Sequence, residues 1–106
     1  MIIYNVTINV SDKIHQAWLP WMAKTHIPEM LATGKFIGAR LCKVRAEEPT
    51  GGTTYAVQYT AATQEDLERY YAEDAEKMRQ KGVTLFGEEM LAFRTELEVL
   101  GQTESE

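Results

Sequence analysis

The chain of 106 residues contains one cysteine, three prolines, seven glycines and two histidines, and more acidic than basic side chains. With Cys42 alone there is no intramolecular disulfide framework, which suits a reducing cytoplasm. No run approaches the roughly 20 apolar residues that a spanning helix needs, and the opening residues Met1 to Val10 lack the basic start of a secretory leader, so neither membrane nor export is expected. Sixteen Asp and Glu against eleven Lys and Arg, for a net charge of −5, provide no basic footprint for nucleic acid. The 44% hydrophobic content is ample for a folded core and argues against disorder along the whole length.

What is present alternates. Ile2, Tyr4, Val6, Ile8 and Val10 are interleaved with Ile3, Asn5, Thr7 and Asn9, the period of a strand with one buried face. Ser11 and Asp12 then stand where a helix cap is wanted. Ile14, Trp18, Trp21 and Met22 form a helical stripe, which Pro20 should kink or restart because its ring nitrogen has no hydrogen to donate. Pro28 is expected to open a separate short turn and Gly34 to end the segment. Phe36–Arg45 and Thr53–Ala61 read as strands joined by a hairpin loop over Glu47–Gly52. Thr63 and Asp66 make a reciprocal cap for a second helix. Its inward stripe is Leu67, Tyr71, Ala75 and Met78, with Glu65–Arg69 and Glu73–Lys77 as supporting pairs. Gly82 is the expected helix end, Val83–Gly87 a linker and Met90–Leu100 the last strand.

The order β-α-β-β-α-β predicts an α+β, ferredoxin-like fold, with one antiparallel sheet and two helices on one face. Residues 1–100 are expected to form a single domain and residues 101–106 a disordered acidic tail. Parity assigns Tyr4, Val6, Ile8, Val10, Tyr55, Val57, Tyr59, Leu91, Phe93, Leu97 and Val99 to the helix side. The other side receives Asn5, Thr7, Asn9, Ala56, Gln58, Thr60, Ala92, Arg94 and Glu96, joined by Arg40 if Leu41 faces the helices. That polar side is either a solvated sheet surface or the wall of a cavity between two sheets packed about 10 Å apart.

Several stretches resemble a small bacterial family of unknown function: Ile2-Ile3-Tyr4-Asn5-Val6-Thr7, Trp18 with Trp21-Met22, His26-Ile27-Pro28-Glu29-Met30, Thr33-Gly34-Lys35-Phe36, Tyr55 with Gln58-Tyr59, and Ala92-Phe93-Arg94-Thr95. The resemblance spans residues 2–98 and implies the dimeric α/β barrel superfamily, hence a homodimer joined through the sheets. It implies no reaction.

Among candidate site residues, His26 before Pro28 is suited to general-base catalysis or to haem ligation; the alternative is a hydrogen bond to a carbonyl of the turn. His15 is expected to face solvent. Trp21 and Trp18 flank an aromatic ligand or simply fill the core. The hydroxyls of Tyr55 and Tyr59 are expected near the rim beside Tyr4. Arg94, mid-strand on the polar side, grips a carboxylate or pairs with Glu96 or with a carboxylate of the partner subunit. Asn5, Arg40 and Gln58 complete the expected ligand-binding set. No metal-ligand spacing surrounds His26, and no cofactor is expected. Three functions follow: a cytoplasmic homodimer binding a small aromatic or anionic molecule, a cofactor-free monooxygenase-like enzyme, or a non-catalytic dimerisation module.

Overall fold

The computed structural model describes residues 1–105. The strands are β1 (Ile2–Val10), β2 (Gly38–Lys43), β3 (Thr53–Ala61) and β4 (Met90–Glu98), in the sheet order β2-β3-β1-β4. Every neighbouring pair is antiparallel. The first crossover comprises α1 (His15–Trp21), a π-helical segment (Met22–His26) and α2 (Ile27–Ala32). The second comprises α3 (Gln64–Glu73) and α4 (Ala75–Phe86), followed by a single 3-10 turn at Gly87–Glu89. The expected βαββαβ order is present, with each crossover broken into shorter helical pieces.

From Tyr4 in β1 and from Tyr55 in β3, buried and half-buried residues alternate to the end of each strand. Tyr4, Val6, Ile8 and Val10 bury one side against Trp18, Met30, Leu67 and Met78 in a single hydrophobic cluster. The antiparallel ladder then dictates the neighbours: Val6 lies opposite Val57 on one side and opposite Arg94 on the other. The helix side of β4 is therefore Met90, Ala92, Arg94 and Glu96. The opposite side is Leu91, Phe93, Thr95 and Leu97, the reverse of the parity expected for this strand. Apolar residues occupy both parities of β4, so counting them selects the wrong face; pairing to β1 decides it. Val99, also expected under the helices, lies beyond the strand.

Other local expectations are corrected by packing. Ser11 does not cap α1: its hydroxyl donates to Glu89 Oε2 at 2.6 Å, its N–H to the Glu89 carbonyl, and Ile14 occupies the cap position without a side-chain bond. β2 is shorter than expected because Phe36 turns away from the sheet into the core, stacked on Tyr4. Tyr70, not Tyr71, is buried on α3. Thr63 Oγ1 accepts from the Asp66 N–H at 3.1 Å, so that half of the expected cap is formed. Arg69 pairs with Glu73 and Asp66 rather than with Glu65.

Lys35, 7% exposed, donates to Asp74 Oδ2 at 2.9 Å and to the Thr33 carbonyl at 3.3 Å. Asp74 is the residue at which α3 and α4 part. In the hairpin loop, Gly52 has φ +76°, and a Cβ there would lie 2.7 Å from the Val10 carbonyl oxygen. Gly101–Ser105 form no helix or strand and are exposed; Glu106, the last residue of the expected tail, lies outside the described residues.

Candidate functional site

The π-helical segment builds one wall of the site. Pro20 removes a backbone donor within α1, and two residues later the ladder changes step: the Ile27 N–H donates to the Met22 carbonyl, five residues back. The helix runs past Pro20 to Trp21 without the restart expected there; it is Pro28, lacking an N–H and crowding the carbonyl four residues back at Lys24, that falls on the π-helical segment. In an α-helix, residues five apart point about 140° away from each other. The wider turn instead stacks His26 on Trp21, with centroids 4.6 Å apart and planes 20° apart. Such π-turns are often found at functional sites.

Beneath them is a cavity of about 50 Å³ between helices and sheet. Trp21, Met22 and His26 close it from the first crossover, and Met78, Arg79 and Gly82 from α4. The sheet supplies Tyr4 and Val6 from β1 and Met90, Ala92 and Arg94 from β4. Gly82 lies inside α4 rather than at its end, and the expected linker Val83–Gly87 is the last turn of that helix and the residue beyond it. The absence of a side chain at Gly82 accommodates Met90, whose Cε would be 2.6 Å from a Cβ there.

Among the described residues no carboxylate lines this cavity. Arg79 donates to the Tyr4 hydroxyl at 3.0 Å. Among the described residues neither Arg79 nor Arg94 forms an ion pair; Glu96 accepts instead from the Tyr71 hydroxyl at 2.8 Å. The Tyr59 and Tyr70 hydroxyls donate to the sulfurs of Met22 and Met30, and burial pushes both phenols above their ordinary range, leaving them protonated. His26 Nδ1 is buried without a partner. Burial lowers the His26 pKa to about 4; Lys81 acts in the same direction and Glu29 against it. Glu29 and Lys81 form an ion pair between α2 and α4, and the Lys81 hydrogen bond holds the Glu29 carboxyl below its ordinary range. His26 is thus a neutral imidazole at pH 7, with one nitrogen free to accept or donate, but a weak base.

Of the six expected site residues, the structure brings together His26, Trp21 and Arg94. It separates them from Asn5, Arg40 and Gln58, which lie on the far side of the sheet, where Arg40 and Gln58 are ladder neighbours. There Asn5 Nδ2 donates to Thr7 Oγ1 and Thr95 Oγ1 at 3.2 Å each, while its Oδ1 is buried and unpartnered. The same face exposes Leu91, Phe93 and Leu97 at 60%, 63% and 44%. His15 contacts the Tyr55 hydroxyl rather than facing solvent alone, which places that hydroxyl away from the expected rim. Arg79 is not among the expected site residues, and Met22 and Met78 are expected only as core. The available signal was that Arg79 follows the inward Met78 and flanks its stripe.

Among the described residues no three His, Cys, Asp or Glu side chains converge as metal ligands, and no helix is long and apolar enough to cross a membrane. A family model described as "Domain of unknown function (DUF4286)" matches residues 1–100. Among solved structures, an ethyl tert-butyl ether D (EthD) family protein from Bacillus halodurans is similar, with a TM-score of 0.69 at 13% identity. That alignment covers 94% of this chain and 100% of the other, so the two chains share a fold. No curated protein matches.

Proposed function

The chain belongs to the DUF4286 family, a domain of unknown function, and from that premise we propose that it forms a homodimer through the open faces of its sheets, each protomer binding a small aromatic or anionic molecule beneath its helices. The observation that carries the binding reading is the cavity, without a carboxylate among the described residues, lined by Arg94 and by the stacked pair of Trp21 and His26, whose Nδ1 is buried without a partner. Buried polar atoms ordinarily have partners, and a ligand supplies one.

The pairing reading is supported by Leu91, Phe93 and Leu97, three large apolar side chains on one face of β4 that a lone protomer leaves in water. Asn5, Arg40 and Gln58 are then interface residues rather than ligand contacts. The lone Cys42 suits a cytoplasmic setting. A cofactor-free oxygenase would use His26 as the base, and the low pKa of that imidazole favours binding over proton abstraction.

Sedimentation velocity tests the pairing. The parent is expected at twice its 12.1 kDa mass, and Phe93→Asp at the single mass with its circular dichroism retained. A parent that is monomeric throughout the micromolar range overturns the pairing. A thermal-shift screen with small aromatic acids and their neutral analogues tests the binding, which fails if no compound raises Tm.

A further inference from the structure

Resting on the reading of the cavity as a ligand site, we propose that it takes a small aromatic carboxylate in preference to the uncharged analogue, with Arg79 and Arg94 holding the carboxylate and His26 meeting a polar group on the far side of the ring. The cavity has two chemically distinct ends. One holds Arg79, Arg94 and the Tyr4 hydroxyl, to which Arg79 donates. The other holds Met90, Gly82 and Trp21, which converge on each other, together with His26 stacked on Trp21.

Met90 and Arg94 are separated by four residues of one strand, about 13 Å of backbone. The two guanidinium groups have no carboxylate partner among the described residues, and a carboxylate accepts from arginine in a geometry that a neutral amide cannot match. The volume of about 50 Å³ is about a third of the roughly 150 Å³ that admits benzene, so a ring enters only as the walls give. Met22, Met30, Met78 and Met90 line it, and their unbranched thioethers adjust to an added ring and favour contact with its edge. An anion without a ring leaves the space beside these methionines unfilled; a neutral ring leaves the arginines without a carboxylate.

The test is calorimetric titration of the parent with 4-hydroxybenzoate and with 4-hydroxybenzamide, repeated in the Arg79→Gln/Arg94→Gln double variant. Both arginines are exposed, so the variant is expected to fold as the parent does. The acid is expected to bind at least tenfold more tightly than the amide in the parent, and less than threefold more tightly in the variant. Its binding should also quench the Trp21 emission that Trp21→Phe removes. If the amide binds the parent as tightly as the acid, the proposal is overturned while the cavity remains a ligand site. A preference that survives in the double variant overturns the assignment to these arginines. If neither compound binds, the proposal is overturned, and the ligand reading falls with it only if the thermal-shift screen also finds no compound that raises Tm.

Discussion

Val6 and Arg94 stand opposite each other on the β1–β4 ladder. Because Val6 is buried beneath the helices, Arg94 is carried to the same side and lines the cavity. The same relationship sends Phe93 and Leu97 to the open face, where they are exposed.

This facing predicts a contrast between adjacent residues. Ala92, opposite the buried Ile8, is expected to lose about 2 kcal/mol or more on Ala92→Lys, because the ammonium enters a wall with no carboxylate. Leu91→Lys is expected to remain within about 0.5 kcal/mol of the parent when both are monomeric, because position 91 faces away from the core. Urea unfolding at high dilution measures both; a larger loss at position 91 contradicts the facing.

The Lys35–Asp74 pair links the turn after α2 to the break between α3 and α4. Breaking it from either side leaves a charged group in a protected position without its partner. Lys35→Met and Asp74→Leu are each expected to lower Tm by about 5 °C or more, and the double substitution by less than the sum of the two. Additive losses in calorimetry indicate that the two side chains are independent.

Stability should also depend on His26. Its folded pKa of about 4 lies below the ordinary 6.5, so the unfolded chain takes up the proton first. The neutral, buried state is therefore fully favourable above about pH 6.5 and is progressively undermined as pH falls towards 4, by an amount of order 2 kcal/mol. His26→Gln should flatten the difference between urea midpoints at pH 6.5 and 5.0, above the range in which most carboxylates titrate. An equal slope in parent and variant counts against this origin.

Thr63 gives a more local case. Its hydroxyl accepts from the Asp66 N–H, so Thr63→Ala is expected to cost about 1 kcal/mol and Thr63→Ser to restore most of it. Chemical denaturation distinguishes this from a solvent-facing threonine, for which neither change matters.

Much of this architecture is legible along the chain. The strict alternation of Ile2–Val10 assigns β1 a buried face, and the Thr53–Ala61 strand and the Thr63 cap lie where the residues indicate. The failures share a cause. Tyr70 and Tyr71 are adjacent rings, and only the break at Asp74 and the packing of Tyr4 and Phe36 determine which one enters the core. Gly82 carries a helix-ending residue into a helix interior because Met90 needs the space.

The amino-acid order by itself therefore determined the sequence of elements, the ferredoxin-like class and the facing of β1, since period and capping are local properties of the chain. Tertiary structure alone decided the facing of β4 and, with it, the company of His26 and Arg94. A strand with apolar residues on both parities has no amphipathic signal of its own, and takes its orientation from the hydrogen-bonded neighbour to which it is registered.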